Sequence, residues 1–263
     1  MPHPTLHWQT ASAIFFVYAL VVASWMPGLA AAGRLRVASM GIGGVLLVVL
    51  SWLIPYHPVL HEWVLPPVLL LLAYWASGAL FVAPMRRAER ALLAIDRALH
   101  IRAAAARMPR PMVEVLEMAY VWVYPLIPVA LALLLTTTTS PDVERFWTVI
   151  LVTDFVCFGI LPWVQTRPPR AVEPGEPWRS TIRPLNLRLL GTASIEVNTF
   201  PSGHAAEALA VGLLLLDAPA AIVAWMFVNA ASISAGAVFG RYHYAADAFA
   251  GWAVALVVWS LLG

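Results

Sequence analysis

Charged side chains are scarce in this chain, since only 11% of its 263 residues are Asp, Glu, Lys or Arg. Soluble domains usually carry about 25%. Hydrophobic residues make up 61%, and the mean hydropathy is +0.80. This balance excludes an ordinary soluble domain. It predicts a polytopic membrane protein whose partners are the phospholipid bilayer and a membrane lipid, with no nucleic acid involved.

Cysteine is nearly absent and lysine is absent altogether. The only cysteine, Cys157, lies within an apolar run. A single cysteine excludes an intramolecular disulfide and a structural zinc site built on cysteine pairs. Because there is no lysine, all 16 basic side chains are arginine.

Long apolar runs predict the fold class. A helix needs about 20 mostly apolar residues to cross the hydrocarbon core, where lipid offers no partner for the backbone. We therefore predict an all-α fold, a polytopic membrane helical bundle of about eight transmembrane helices in a single domain over residues 1–263, with N-terminal spans in 1–84. The predicted spans are 11–30, 38–56, 65–84, 113–136, 147–165, 201–217, 219–239 and 245–262.

Arginine is unevenly distributed between the two sides of this bundle. Alternating the predicted spans leaves Arg145 alone on one side, with the other fifteen of the 16 arginines opposite. Cytoplasmic loops carry an excess of basic residues. The arginine-rich side is therefore predicted to be cytoplasmic, in a protein of the bacterial inner membrane.

The segment 85–111 is predicted to be an amphipathic helix at the membrane interface. On a helical wheel Leu92 and Leu99 share one face, while Arg90 and Arg97 project from the opposite face. This pattern is typical of a helix that rests among anionic headgroups. A solvated connecting helix is an equally good interpretation.

Three polar segments interrupt the apolar C-terminal half, at 167–170, 201–204 and 241–247. Each lies at the end of a predicted span, and the alternation of spans brings all three to the arginine-rich face. Together they supply two histidines, an acid and several arginines. Such a group at one membrane face indicates a site that handles phosphate.

The second polar segment has the pattern of a helix start that binds an anion. Pro201 fits the first helical turn, because its missing N–H would have no partner there, and a polar residue just before it can cap the helix. The N–H groups of Ser202 and Gly203 and the Ser202 hydroxyl then point at an anion, which the helix dipole also favours. His204 is placed to contact the same anion.

The third polar segment pairs a histidine with an acid. His243 and Asp247 are four residues apart, so they share one face if the last helix starts at or before His243. The carboxylate can hold one ring nitrogen protonated and leave the other as a nucleophile or base. Arg167, Arg170 and Arg241 supply donors for phosphate oxygens, with Arg167 and Arg170 as alternatives for the main clamp. This set requires no metal, and we expect no cofactor.

Other polar residues lie in or near the spans. Asp154 is in the middle of one, where a charge is costly and usually functional or paired. Glu207 follows His204 by one turn and could contact a lipid hydroxyl or orient that histidine. A polar contact between helices is the alternative for both acids. Glu117 and Arg183 are predicted to lie at the membrane interface.

These motifs resemble the type-2 phosphatidic acid phosphatase superfamily of membrane lipid phosphatases and phosphotransferases. The second family signature, PSGH, stands intact at 201–204, and the third ends in a His and an Asp separated by three residues, as His243 and Asp247 are. The resemblance covers 113–263, the predicted catalytic part. It implies a core of six helices.

The resemblance also implies a role for each residue. His243 attacks phosphorus and forms a phosphohistidine, Asp247 orients that histidine, and His204 protonates the leaving oxygen. Residues 197–200 and 240–244 look like the branch that includes inositol phosphorylceramide synthases. That branch moves a phospho-headgroup between lipids.

The chain departs from the family pattern in its basic residues. The lysine that usually stands seven residues before the Arg-Pro pair is replaced by Ile160, and we expect Arg170 to substitute for it. The arginine that usually stands six residues before the third-motif histidine is replaced by Ala237, so Arg241 would have to serve instead.

The leading functional prediction is an integral membrane enzyme that removes phosphate from a lipid phosphate or diphosphate, of the phosphatidate or polyprenyl type. The reaction would pass through a phosphohistidine without a metal. One alternative is a phosphotransferase that moves a phospho-headgroup between a lipid and an alcohol such as inositol. A second alternative is a non-enzymatic transporter of lipid phosphates.

Overall fold

Helices form the regular structure of the described residues, 7–175, 177–195 and 197–262 of a computed structural model. This confirms the predicted all-α fold of a polytopic helical bundle. In chain order the helices are α1 (Trp8–Trp25), α2 (Ala31–Leu53), α3 (Leu65–Ala79, after a π-helical segment at Val59–Val64), α4 (Arg86–Ala98), α5 (Ile101–Ala106), α6 (Arg110–Thr137), α7 (Val143–Ile160), α8 (Pro169–Val172), α9 (Arg183–Ala193), α10 (Gly203–Leu214), α11 (Ala220–Phe239) and α12 (Ala245–Leu262).

Six helical segments in the described part are long and apolar enough to cross a membrane, and the protein is an integral membrane protein. They are α1, α2, α3 with its preceding π-helical segment, α6, α11 and α12. The predicted count of eight included two helices that do not meet this standard. The predicted span 147–165 corresponds to α7, which carries Glu144, Arg145 and Asp154. The predicted span 201–217 corresponds to α10, which has only 12 residues.

Helix α7 lies inside the bundle, in contact with α1, α3, α10 and α12. Its buried side chains cover most of the circumference of the helix, and Val156 is the large apolar side chain of α7 that is exposed, so the helix is largely enclosed by its neighbours. Phe15 of α1 stacks on Phe155 of α7 with ring centroids 4.6 Å apart. The central position of α7 explains why it tolerates Asp154, since that side chain faces the protein and not lipid.

Two glycines allow close approach between helices near the polar segments. A Cβ atom at Gly251 of α12 would lie 2.3 Å from the backbone oxygen of Ser202, and one at Gly236 of α11 would lie 2.4 Å from that of Leu116. Small residues at helix interfaces let backbones pack directly on each other. The start of α10 is therefore held against α12.

The predicted interfacial segment forms two helices, because His100 adopts a left-handed conformation with φ of 54° between α4 and α5. Leu92 is buried, whereas Ile95 and Leu99 are exposed. Helix α4 packs on the start of α12. One face of the segment therefore packs against the polar end of the bundle. Neither the interfacial helix nor the solvated helix considered from the sequence included this packing.

Candidate active site

A cavity of about 230 Å³ lies where α7 ends and α10 begins. Its wall is mostly apolar and aromatic, and it reaches the outer surface between α3 and α6, where the lining residues Leu71, Trp75 and Tyr124 are exposed. Pockets for small molecules commonly combine apolar walls with a few convergent polar groups. The polar side chains that line this cavity include Asp154, Arg170, Asn198, His204, Glu207 and His243.

The two histidines of the second and third polar segments meet in this cavity. Their ring centroids are 5.9 Å apart, although the residues are far apart in sequence. His243 is 9% exposed, and its Nδ1 lies 3.1 Å from the carbonyl oxygen of Thr199 and 3.4 Å from Oδ2 of Asp247. Because both neighbours accept hydrogen bonds, we assign the proton to Nδ1, which leaves the Nε2 lone pair free.

Asp247 is fully buried in the first turn of α12, which begins at Ala245, two residues after His243, and it connects this helix start to the start of α10. Its Oδ2 accepts a hydrogen bond of 3.0 Å from the backbone N–H of Tyr244. Its carbonyl oxygen accepts one of 2.9 Å from the backbone N–H of Ser202. The predicted pairing with His243 is present at 3.4 Å, and the shorter contact of that imidazole is with Thr199.

The start of α10 differs from the prediction at one residue. Ser202, and not a residue before Pro201, caps the helix, because its hydroxyl accepts a hydrogen bond of 3.3 Å from the N–H of Ala205. The N–H and the hydroxyl of Ser202 are thus both engaged within the protein, and Ser202 does not line the cavity. The first-turn N–H groups of Gly203 and His204 have no acceptor within the helix and remain for a ligand.

Of the three predicted phosphate-binding arginines, only Arg170 lines the cavity. Its guanidinium carbon lies 5.4 Å from the centre of the Tyr242 ring, close enough for a cation–π contact. The short helix α8 carries Arg170, and the N–H of this residue donates to the carbonyl oxygen of Arg241 at 3.3 Å. The first and third polar segments are therefore joined through their backbones.

The structure places Arg167 outside the cavity. Its guanidinium forms two hydrogen bonds of 2.9 and 3.0 Å with the carboxylate of Glu89 on α4, and its backbone N–H donates a third to the same acid. These hydrogen bonds hold the pKa of Glu89 below its usual value. Of the two arginines predicted as alternatives for the main phosphate clamp, Arg170 is therefore the one whose position fits that role.

The side chain of Arg241 also points away from the cavity, contrary to its predicted role. It donates to the carbonyl oxygen of Pro169 at 3.1 Å and lies 3.4 Å from a carboxylate oxygen of Glu173. Its backbone has a φ of 62°, a left-handed conformation that is uncommon for residues other than glycine. Arg241 therefore holds the turn before His243, and its side chain lies outside the cavity lining.

A buried polar cluster behind the cavity was missed by the sequence analysis. Glu117 of α6 is fully buried and accepts hydrogen bonds from the side chains of Arg183 (2.9 Å), Asn186 (2.6 Å), Trp178 (2.7 Å) and Tyr242 (2.7 Å). The sequence analysis placed both residues at the membrane interface without a partner, whereas the structure buries them and pairs them with each other. Both lie near the ends of apolar runs, and nothing in the sequence indicates that they pair.

The cluster fixes Tyr242, the residue immediately before His243. The Tyr242 ring stacks on Tyr120 with centroids 4.2 Å apart and planes 6° apart, and Arg183 lies 5.2 Å from its centre. Tyr120 in turn meets His204 edge to face at 5.6 Å. One aromatic stack therefore supports both histidines.

Asn198 is a second residue that sequence reasoning did not assign to the site. It lines the cavity, is 5% exposed, and neither its Oδ1 nor its Nδ2 has a hydrogen-bond partner. Its φ of 61° is a left-handed conformation that asparagine tolerates better than most residues. An unpaired buried amide at a cavity wall is available for a ligand.

Helix α4 reaches the site through Asp96. Its Oδ1 accepts a hydrogen bond of 2.9 Å from the N–H of Ala245, at the start of α12. Burial raises the pKa of Asp96 to about 6, and the charge of nearby Asp247 acts in the same direction. This acid therefore titrates close to neutral pH beside the third polar segment.

The described residues contain no group of three or more His, Cys, Asp or Glu side chains arranged to hold a metal ion. What converges is a histidine pair, an arginine and a helix N-terminus in a membrane helical bundle. This arrangement defines the class of membrane phosphoryl-transfer proteins.

The chain belongs to the PAP2 superfamily, whose family model matches residues 86–261. The match begins at the first residue of α4, so the family region includes α4 and α5 as well as the predicted catalytic part. No curated protein and no solved structure matched the chain. Membership supports a phosphatase or phosphotransferase function on lipid phosphates.

Proposed function

We propose that this protein hydrolyses a membrane lipid phosphate or diphosphate through a phosphohistidine formed on His243. The observation that carries the proposal is the convergence of His243 and His204 in one cavity, with Arg170 in its wall. Phosphoryl transfer needs a nucleophile, an acid for the leaving oxygen and fixed positive charge for the phosphate oxygens.

In the first step, Nε2 of His243 attacks phosphorus while the bond from phosphorus to the lipid oxygen breaks. A protonated His204 gives its proton to that oxygen, so the lipid leaves as an alcohol. Thr199 and Asp247 hold the opposite nitrogen of His243 and accept from its N–H. They stabilise the positive charge that develops on the imidazole as the new bond forms.

In the second step, water attacks phosphorus and the bond to Nε2 breaks. His204, now neutral, takes a proton from the water, and inorganic phosphate leaves with both histidines restored. Throughout the cycle the phosphate oxygens are bound by the Arg170 guanidinium, the Asn198 amide and the first N–H groups of α10, all of which face the cavity.

The lipid tail enters sideways from the bilayer in this proposal. Leu71 and Trp75 of α3 and Tyr124 of α6 line the cavity and are also exposed on the outer surface of the bundle. A phosphate can therefore rise to the histidines while the tail stays between α3 and α6. We further propose that the protein lies in a bacterial inner membrane with the site facing the cytoplasm.

The test is phosphate release by the purified protein from phosphatidate, a polyprenyl diphosphate and a phosphoinositide, with and without an alcohol acceptor. We expect release from at least one lipid phosphate, undiminished by a chelator, and loss of at least 100-fold in a His204→Ala variant. Transfer to the alcohol in place of water would favour the phosphotransferase. Binding of lipid phosphate without turnover would leave only the transporter.

A further inference from the structure

Two acids in the cavity wall have no hydrogen-bond or ion-pair partner among the residues that the structure describes. Asp154 of α7 and Glu207 of α10 line the same cavity as the two histidines. Asp154 is 1% exposed, and its Oδ2 is buried without a hydrogen-bond partner. Within the described ranges neither carboxyl forms a hydrogen bond or an ion pair with another residue.

A purely structural role does not account for these acids. A buried polar group that lacks a hydrogen bond lowers stability, and an unpaired buried charge lowers it further. The alternative predicted from sequence, a polar contact between helices, requires partners that neither acid has. By contrast, buried Glu117 is satisfied by four side-chain donors. The cavity is the place from which Asp154 and Glu207 can obtain a donor.

Both acids lie beside His204. Glu207 follows it by three residues on the same face of α10. On the other side of the helix start, a Cβ atom at Gly203 would lie 3.3 Å from Oδ1 of Asp154. The two carboxyls are also close enough to interact electrostatically. If His204 protonates the leaving oxygen, as proposed above, the atoms next to that oxygen lie against these acids.

The chemistry of a carboxyl selects its ligand. An ionised carboxyl only accepts hydrogen bonds, and a neutral one still accepts through its carbonyl oxygen. Phosphate oxygens are acceptors and carry negative charge, so they are repelled here and bind at Arg170 instead. The group that fits is a donor on the alcohol portion of the substrate, close to the ester oxygen.

We propose that Asp154 and Glu207 form a subsite that recognises a hydroxyl or amide N–H on the alcohol next to the reacting oxygen. This inference rests on the proposed function and narrows its substrate class. Lipid phosphates with such a donor are preferred over lipids that lack one. The donor can belong to the alcohol that leaves or to an alcohol that accepts the phosphoryl group, because both occupy the same position beside phosphorus.

The first arm of the test compares two substrates in mixed micelles, a monoacylglycerol 3-phosphate with a free hydroxyl and the diacylglycerol 3-phosphate with the same acyl chain. We expect kcat/KM to favour the first by about tenfold or more, since a site built around a polar group discriminates against analogues that lack it. Asp154→Leu and Glu207→Met should each reduce this ratio toward one. Glu62→Met, in the π-helical segment that precedes α3, should leave the ratio unchanged.

The second arm measures how the phosphoryl group is divided between water and an added alcohol. Glycerol, which carries neighbouring hydroxyls, is compared with 1-propanol at equal concentration. A preference for glycerol that disappears in the two variants would assign the donor to the acceptor alcohol. A preference seen only in the first arm would assign it to the leaving alcohol. Either result supports the subsite.

Thermal unfolding separates this subsite from a structural role. Because the acids are unpaired, apolar replacements should leave the unfolding temperature unchanged or raise it. Equal ratios in wild type and variants in both arms would overturn the subsite while leaving the phosphatase intact. A fall in unfolding temperature with unchanged ratios would assign the acids to the fold instead. Absence of any phosphate release would overturn both proposals.

Discussion

At the scale of single residues, the arginines show that similar side chains have different tasks. Arg170 faces the cavity, whereas Arg167 is bound to Glu89 and Arg241 to Pro169 and Glu173. All three were predicted to bind phosphate, because their spacing can be read from the sequence whereas the direction of each guanidinium cannot. The acid that binds Arg167 lies 78 residues away along the chain. That pairing could not be predicted from the local motif.

Replacing Arg170 should affect catalysis more than replacing Arg167. We expect Arg170→Gln to lower kcat/KM by about 100-fold or more, the usual effect of losing one charged transition-state donor. Arg167→Gln is the matched control and should lower it by less than about tenfold, with a lower unfolding temperature because Glu89 loses its partner. Steady-state kinetics and thermal unfolding in detergent measure both effects. Equal catalytic losses would contradict the placement of these side chains.

Asp96 should make stability depend on pH. Its pKa is raised to about 6 by burial, above the ordinary value of 3.8, so the folded state binds the proton more tightly than the unfolded state. This contribution to stability is complete below about pH 4 and is lost as pH rises through 6. Asp96→Asn keeps an acceptor for the N–H of Ala245 and removes the titration.

The unfolding temperatures of wild type and Asp96→Asn measure this effect from pH 4 to pH 8. The variant should match the wild type near pH 4 and be the more stable of the two above pH 6. A difference in unfolding temperature that stays constant from pH 4 to pH 8 would contradict the raised pKa of Asp96.

At the scale of elements, the cluster around Glu117 connects α6, α9 and the turn that carries Tyr242. Its members belong to separate stretches of sequence. Hydropathy predicted α6 as a span, whereas neither α9 nor the link between the two helices was predicted. The start of α10 illustrates the opposite case. Its motif predicted a helix N-terminus within two residues, because proline and serine act locally, although Ser202 is the cap and lies outside the cavity lining.

Breaking the Glu117 cluster should destabilise the fold and displace the third polar segment. In Glu117→Gln the guanidinium of Arg183, 5% exposed, loses its counter-charge. We expect a loss of about 3 kcal/mol in the free energy of unfolding, typical of a broken buried ion pair. Adding Arg183→Met should recover part of it. Denaturant unfolding of the two single variants and the double variant forms the cycle, and additive losses would show that the pair is not coupled.

The contact between α10 and α12 should be sensitive to a single methyl group. Gly251→Ala places a Cβ atom 2.3 Å from the backbone oxygen of Ser202, so α12 must move away from the start of α10, which carries His204. We expect a loss of both stability and activity. Gly43→Ala in α2 is the matched control, because nothing lies within 4 Å of its Cβ position. Alanine there should be neutral or stabilising. Similar behaviour of the two variants would refute the close contact.

At the scale of the whole molecule, hydropathy and short motifs predicted the fold class and the superfamily correctly. Both depend on features that the sequence displays directly, namely long apolar runs and PSGH. The number of membrane-crossing helices was less predictable, because α7 and α10 are shielded by neighbouring helices and escape the requirements of a lipid-facing span. The charged residues of α7 and the 12-residue length of α10 set these helices apart from the other spans, and their contacts with neighbouring helices allow both features.

The orientation of the bundle can be tested with one added cysteine. Cys157 is fully buried, so it gives little background with an impermeant thiol reagent. Arg179 is exposed at the arginine-rich end. The cysteine in Arg179→Cys should be protected from the reagent in intact cells, because that end is predicted to be cytoplasmic. Ser140→Cys, exposed in the loop between α6 and α7, should be labelled. The reverse pattern would place the site on the outer face.

The central claim is that His243 carries the phosphoryl group during turnover. The most direct measurement is to mix purified protein with a lipid labelled at its phosphate, stop the reaction at neutral or alkaline pH, and locate the phosphoryl group by peptide mass spectrometry. We predict an acid-labile phosphohistidine at His243 in the wild type and none in His243→Ala, which should also fail to release phosphate. Phosphate attached elsewhere, or turnover that survives in His243→Ala, would contradict the account.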